Sequence, residues 1–517
     1  MSPRQSLAMT VCALVLSGCA VAPGHLRLRP EAKNDARREA QAVARGDATE
    51  RLLAGYLEAW MAAPESATGR SACGRFARLW RKSALPGDCV VDGWRVRVTG
   101  DWEATYFDEL LPAEDYEVRA RLHRHIRDGR GVPLVGIRWN TRRERIEALY
   151  PPEAIARAVT AIFQIGPGHS VTVALRNPLR DESLAADFTA PLAQLLSLAG
   201  ALQATSLEGL LDADATHRDY GVFLIEPYDP QKTPVLMVHG LLSTPLAWAS
   251  LTNDLWGDPA FRRRYQIWHY LYPTSAPVLY SAKMLRQRLT EARALLDPRG
   301  ADPASQRLMV IAHSMGGLLA RTLITSSGED IWNTVFMVPP KALRASEEDR
   351  AEVNSILHWK PRRDVRHVIF IAVPHRGSNL AASFVGWIGH TLAGLPRRFT
   401  SLNVRLHRDN PDAIRPAFRG PLSRGRLTSI DTLSPHHAIL RIMNEEPFAP
   451  WVTVHSIIGN RGHSGPLAKS SDGVVPYTSS HLDAAVSELV VPTGHGAYKH
   501  PRAVAEILRI LNQDQGR

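Results

Sequence analysis

From about residue 220 onward, the chain alternates short apolar runs with stretches of helical periodicity. The run TPVLMVHG is apolar at nearly every position, whereas LYSAKMLRQRLTEARALL has the 3.6-residue period of an amphipathic helix. Strands that are apolar on both faces and alternate with helices are typical of a mostly parallel sheet covered by helices. We therefore predict an α/β domain over residues 220–517, with strands in GVFLIEP, TPVLMVHG, YQIWHYLYP, RLMVIAHS, VRHVIFIAVP, WVTVHSIIG and SELVVPTG.

The preceding part of the chain has a different pattern. Residues 32–62 have apolar residues at helical spacing, which predicts a helix. From Trp94 the sequence alternates, and strands are expected in WRVRVTG, YEVRARLHRHI, VTAIFQI and SVTVALRNP. We expect an N-terminal α+β accessory domain over residues 32–219, for which no motif indicates a role.

The first residues resemble a secretory signal. Arg4 precedes an apolar run too short for a permanent membrane span, and small residues follow. Residues 16–19, LSGC, resemble the bacterial lipobox, in which the cysteine receives a diacylglycerol. This implies a signal peptide over residues 1–18, lipidation of Cys19 and a tether over residues 19–31. The absence of an acidic residue after the cysteine resembles lipoproteins of the outer membrane, here expected to face the periplasm.

The chain has four cysteines, of which Cys12 would leave with the signal and Cys19 would carry the lipid. Cys73 and Cys89 remain in the folded part. Because thiols outside the cytoplasm usually pair, we expect a Cys73–Cys89 disulfide. The alternative is two free thiols.

The formal net charge is +11, which permits contact with an anionic membrane or with nucleic acid. The basic residues are scattered among acidic ones, however, and no basic tract is interleaved with aromatic residues. We therefore expect no nucleic-acid partner. No second apolar run is long enough to span a membrane.

The segment Ala312-His313-Ser314-Met315-Gly316 lies between a predicted strand and a predicted helix. It resembles the G-x-S-x-G nucleophile elbow of serine esterases and lipases with the α/β-hydrolase fold. Alanine in place of the first glycine is a departure that some bacterial lipases share. The resemblance implies that Ser314 is the nucleophile, and we expect His313 to point away from it.

The same family places its acid and its base after later strands. Asp472 in SSDGVVPYTSS and His495 in VVPTGHGAYKHP fall at those positions. The resemblance implies that His495 is the base and Asp472 the acid that orients it. His500 is an alternative base, and Asp431 an alternative acid.

Two further segments resemble the family. His239-Gly240 resembles its oxyanion loop, which implies that the backbone amides of Leu241 and Met315 form the oxyanion hole. Residues 374–378, PHRGS, look like the T-P-H-x-G segment of many bacterial lipases, which is expected to shape the pocket.

A long connection follows the PHRGS segment, and we expect a cap insertion over about residues 378–450. It contains SNLAASFVGWIGHTLAGL, whose apolar residues suit a cap over the active site. An ordinary packed helix is the alternative.

Taken together, these residues predict a membrane-anchored serine hydrolase of the α/β-hydrolase fold that cleaves carboxylic esters, with apolar acyl groups favoured. Its expected partners are a small-molecule ester or lipid substrate and, through the N-terminal lipid, a membrane. No cofactor and no metal ion is expected. An acyltransferase or a thioesterase would use the same triad. A non-catalytic envelope scaffold on a hydrolase fold is the alternative from a different class.

Overall fold

The computed structural model describes residues 26–45, 47–118, 122–203, 220–378, 397–423 and 433–513. The predicted signal peptide and Cys19 therefore lie outside the described residues. The strands of the N-terminal region are β1 (Leu26–Leu28), β2 (Asp88–Val91), β3 (Trp94–Gly100), β4 (Glu109–Pro112), β5 (Tyr116–Val118), β6 (Ile126–Arg127), β7 (Val132–Trp139), β8 (Ala154–Gly166), β9 (Ser170–Arg176) and β10 (Ala186–Asp187). Its helices are α1 (Pro30–Arg45), α2 (Asp47–Ala62), α3 (Ala67–Lys82) and α4 (Ala190–Gln203).

Six of these strands form one sheet in the order β2-β3-β9-β8-β7-β4, in which only the β3–β9 pairing is parallel. The predicted strands that match β3, β8 and β9 are confirmed. The helix predicted over residues 32–62 is instead two helices, α1 and α2. The sequence has a glycine at position 46, and glycine is an unfavourable residue inside a helix. YEVRARLHRHI forms strand only at β5 and β6 within its described residues.

The predicted Cys73–Cys89 disulfide is absent, because both residues are free thiols. Cys73 lies on α3, which packs across β8, β7 and β4, whereas Cys89 lies on β2 at the opposite edge of the sheet. The side chain of Trp80 on α3 interacts with the thiol of Cys89. Trp80 lies two turns beyond Cys73, about 10 Å along the helix axis. A disulfide requires the two Cα atoms to be closer than about 7 Å.

A buried ion cluster joins α1 and α3 to the turn after β4. Arg78 contacts Glu39 through two hydrogen bonds of 2.8 Å, and it also pairs with Asp115. Glu39 is completely buried, and Tyr56 donates a hydrogen bond to its carboxylate. The opposite charges therefore compensate each other inside the N-terminal core.

The C-terminal region contains the strands and helices of a second sheet. Its strands are β11 (Gly221–Leu224), β12 (Thr233–Val238), β13 (Tyr265–Leu271), β14 (Leu308–His313), β15 (Val365–Ile371), β16 (Thr453–Gly459) and β17 (Ser487–Val491). Its helices are α5 (Ala249–Gly257), α6 (Pro259–Arg264), α7 (Val278–Leu296), α8 (Met315–Arg321), α9 (Asp330–Val335), α10 (Glu347–Leu357), α11 (Arg397–Asp409), α12 (Pro416–Ser423), α13 (Ala438–Glu445), α14 (Tyr477–Ser480) and α15 (Pro501–Gln513).

The second sheet has the order β11-β13-β12-β14-β15-β16-β17. Strand β11 runs antiparallel to β13, and the other pairings are parallel. All seven predicted strands are confirmed, and the fold is the α/β-hydrolase fold. Two buried apolar clusters cover the two faces of this sheet. The carboxyl ends of the parallel strands share one edge, which is where ligands bind in such sheets.

The N-terminal region packs directly on this sheet. Leu192 and Leu196 of α4 belong to the same buried cluster as Val235 and Met237 of β12. The Asn253 side chain of α5 also donates a hydrogen bond of 2.7 Å to a backbone carbonyl of the N-terminal region. Within the ranges that the structure describes, no helix has the length and the apolar character to cross a membrane.

Candidate active site

Ser314 lies at the turn between β14 and α8. Its backbone has φ 53° and ψ −130°, a conformation that side-chain-bearing residues rarely adopt. Gly316 makes the turn possible, since a Cβ there would lie 2.3 Å from the carbonyl oxygen of His239. The strand and the helix therefore meet at a sharp elbow, as the motif predicts.

His495 and Asp472 meet Ser314 in one chain of hydrogen bonds. The Nδ1 of His495 lies 2.7 Å from Oδ2 of Asp472, and its Nε2 lies 2.8 Å from Oγ of Ser314. The second carboxylate oxygen of Asp472 accepts from the backbone amides of Val474 and Val475 at 2.8 and 2.7 Å. Because a carboxylate only accepts, Nδ1 of His495 is the protonated nitrogen. Its Nε2 is then free to accept the serine proton.

His313 points away from the hydroxyl of Ser314 but contacts the base loop, a role that the sequence analysis missed. Its Nε2 donates a hydrogen bond of 2.8 Å to the backbone carbonyl of His495. Its ring also packs against those of His495 and Tyr498. Burial lowers the pKa of His313 well below its ordinary value, so the imidazole is neutral.

The loop after β12 approaches the nucleophile closely. A Cβ on Gly240 would lie 2.9 Å from Cβ of Ser314, so only glycine allows this approach. The next residue is Leu241, whose amide, like that of Met315, donates no hydrogen bond to any described residue. Within the described ranges, the amides of both predicted oxyanion donors therefore have no protein acceptor.

Residues that follow β13 hold this loop in place. The hydroxyl of Tyr272 donates a hydrogen bond of 2.8 Å to the carbonyl of His239, and the two rings stack at 4.5 Å. The amide of Leu242, which has a φ of 54°, donates to the side chain of Thr274. His239 is buried, and this lowers its pKa to about 4. Tyr272 and Thr274 carry no sequence motif that could have revealed these contacts.

The predicted PHRGS segment contacts the loop that carries the acid. Ser378 donates a hydrogen bond to the carbonyl of Val474. Arg376 donates to the carbonyls of Thr478 and His481 at 3.0 and 2.7 Å. His375 is buried. The segment thus fixes the acid loop against β15.

The alternative site residues lie elsewhere. His500 precedes α15, and its Nδ1 accepts a hydrogen bond from the backbone amide of Arg502. Asp431 lies outside the described residues, as do residues 380–395 of the predicted cap. Within the described ranges, no group of three or more histidine, cysteine, aspartate or glutamate side chains is arranged to hold a metal ion.

A pocket, here called the apolar pocket, lies between helices α7, α9 and α10 and helices α11 to α13, which fall in the predicted cap segment. Its cavity volume is about 70 Å³. Its lining is mainly hydrocarbon and includes Leu279, Val335, Phe399, Leu402 and Phe418. These residues belong to the same buried cluster as Met315, next to the nucleophile.

No protein-family model and no curated protein matches this chain. Among solved structures, a lipase from Bacillus licheniformis is similar over 56% of this chain and 97% of its own, with 15% identity and a TM-score of 0.33. Lipase 1 from Pelosinus fermentans matches 56% of this chain and 99% of its own, with 12% identity and a TM-score of 0.30. A metagenomic carboxyl esterase matches 55% of this chain and 77% of its own, with 13% identity and a TM-score of 0.31. The fold assignment rests on the strand order and the elbow themselves.

Proposed function

We propose that the protein is a lipid-anchored serine hydrolase that cleaves carboxylic esters with apolar acyl groups. The observation that carries the proposal is the hydrogen-bonded chain from Asp472 through His495 to Ser314. A serine hydroxyl is a poor nucleophile unless a base takes its proton and a third group orients that base.

In this mechanism Ser314 attacks the ester carbonyl while Nε2 of His495 takes its proton. The amides of Leu241 and Met315 stabilise the negative charge on the tetrahedral oxygen. His495 then protonates the leaving alcohol, which leaves an acyl group on Ser314. A water molecule, deprotonated by His495, releases the acid, and Asp472 stabilises the imidazolium in both steps.

Variants of the triad test this function. Ser314→Ala and His495→Ala are each expected to lower kcat toward short esters on the order of a millionfold, since triad residues act as a unit. His500→Ala is the matched control and should retain most activity. An inactive His500→Ala enzyme alongside an active His495→Ala enzyme would show that the assignment of His495 as the base is wrong.

The apolar pocket supports a preference for apolar acyl groups, because each buried methylene contributes about 0.8 kcal/mol. For a series of p-nitrophenyl esters from two carbons upward, kcat/KM should therefore rise with chain length until the pocket is full. A preference for acetate over all longer esters would contradict this part of the proposal.

Anchoring through Cys19 is a separate part of the proposal, supported by the resemblance of residues 16–19 to a lipobox. Cys19→Ser should abolish incorporation of labelled fatty acid and release the protein from the outer-membrane fraction. Unchanged labelling would exclude this anchor.

A further inference from the structure

Asn403, a lining residue of the apolar pocket, has an unpaired amide nitrogen. It lies on α11 between the lining residue Leu402 and the solvent-facing Val404, and it is only 3% exposed. Its Nδ2 is buried and has no hydrogen-bond partner in the described part of the chain. The pocket wall therefore holds a donor that points at no protein acceptor.

The neighbouring side chains do not satisfy this donor. Phe399, Leu402 and Leu406 of the same helix offer only hydrocarbon. The other polar side chains of the lining, Tyr280 and His437, have interactions of their own, and the ring of Tyr280 packs on Phe399 at 5.2 Å. A buried amide without a hydrogen-bond partner costs free energy. A ligand group that supplies an acceptor here would therefore gain binding free energy.

We propose that the apolar pocket takes an acyl chain that carries a hydrogen-bond-accepting oxygen, a hydroxyl or a keto group, and that Asn403 donates to this oxygen. The inference rests on the proposed function, because it places the acyl part of the ester in this pocket. We place the acyl chain there because the lining residues and Met315 belong to one buried cluster, against which Leu241 packs.

A preference for oxygenated acyl chains follows from the unpaired donor of Asn403. A plain acyl chain fills the apolar volume but leaves Nδ2 of Asn403 unpaired, whereas an oxygenated chain of equal length satisfies it. A site that is built to hydrogen-bond a polar group discriminates against the analogue that lacks the group. The enzyme therefore prefers oxygenated acyl groups to plain ones of the same length.

Binding measurements test this preference without turnover. Calorimetry on Ser314→Ala protein would compare a medium-chain fatty acid with isomers that carry a hydroxyl at successive carbons. At least one isomer should bind about fivefold more tightly than the plain acid, as one net hydrogen bond provides. Equal affinities for all isomers, or no binding of any of these acids, would overturn the inference.

Second-site variants assign the effect to Asn403. Asn403→Leu, made in the Ser314→Ala protein, should remove the hydroxyl preference. Asn354→Leu, the same change at an exposed position on α10, should retain the preference. A preference that persists in a folded Asn403→Leu protein would contradict the assignment.

The two proposals fail in different ways. If wild-type protein cleaves esters but its Ser314→Ala variant binds plain and hydroxylated acids equally, only the further inference is wrong. If the binding preference is present but no ester is cleaved by wild-type protein, the proposed hydrolase activity is wrong, and only the preference of the pocket for oxygenated chains stands.

Discussion

The Nε2 of His313 donates a hydrogen bond of 2.8 Å to the backbone carbonyl of His495. The residue before the nucleophile thus holds the loop that carries the base, although the two histidines are 182 positions apart in the chain. Because β14 ends at His313 and is followed directly by Ser314, one strand end sets the positions of both reacting groups. The distance between Oγ of Ser314 and Nε2 of His495 is 2.8 Å.

Replacement of His313 should therefore impair catalysis without unfolding the protein. His313→Leu is expected to lower kcat toward short esters by about tenfold to a hundredfold with little change in KM, because small displacements of a base have effects of this size. His313→Gln places a donor near the position of Nε2 and should restore part of the rate. Equal kcat values for wild type and His313→Leu would show that His313 does not position His495 for catalysis.

Tyr272 should have a comparable role for the oxyanion loop. Tyr272→Phe removes the hydrogen bond to the carbonyl of His239, next to Gly240, and should lower kcat about tenfold, less than the loss of a direct oxyanion donor. Tyr270→Phe is the matched control, because its hydroxyl also donates to a buried carbonyl, that of Ser281. Both variants should lose about 1–3 kcal/mol of stability. Equal losses of kcat in the two variants would indicate a merely structural effect.

The free thiols make a prediction about reactivity. Cys89 is partly exposed, whereas Cys73 is buried in a core that raises the pKa of its thiol. In native protein, iodoacetamide should therefore alkylate Cys89 first and Cys73 only after denaturation. Mass spectrometry of non-reduced protein checks this directly. A pair of peptides joined through Cys73 and Cys89 would show that the two thiols form a disulfide after all.

The buried ion cluster should matter for stability. Arg78→Leu leaves the carboxylates of Glu39 and Asp115 buried without their cation, which is expected to cost about 3–5 kcal/mol of unfolding free energy. Arg97→Leu removes one partner of the exposed Arg97–Asp88 pair and should change stability by less than about 1 kcal/mol. Urea denaturation measures the free energy of unfolding of the two variants. Similar losses in both variants would contradict the conclusion that burial makes the Arg78 cluster important for stability.

The sequence was sufficient to predict the second sheet because its strands are buried on both faces and so appear as continuous apolar runs. Ser314, Asp472 and His495 are predicted from the resemblance of their segments to motifs that follow such strands in the family, and the structure brings all three together. Local patterns of this kind depend on residues that are close in the sequence.

Contacts between distant positions were not predictable in this way. The bond from His313 to His495 and that from Tyr272 to His239 depend on how loops meet at the edge of the sheet, and neither residue type has a spacing that marks it. The disulfide prediction was wrong for the same reason, because cysteine number and compartment say nothing about which strand lies at which edge. Asn403, likewise, is one asparagine among ordinary helix residues until the pocket is known.

The most direct test of the central claim is the reaction of the folded wild-type protein with a fluorophosphonate, followed by mass spectrometry of its peptides. The phosphonyl group should be found on Ser314. Labelling should be lost in Ser314→Ala, slowed strongly in His495→Ala and unchanged in His500→Ala. A phosphonyl group on another residue, or a folded wild-type protein that does not react, would contradict the account.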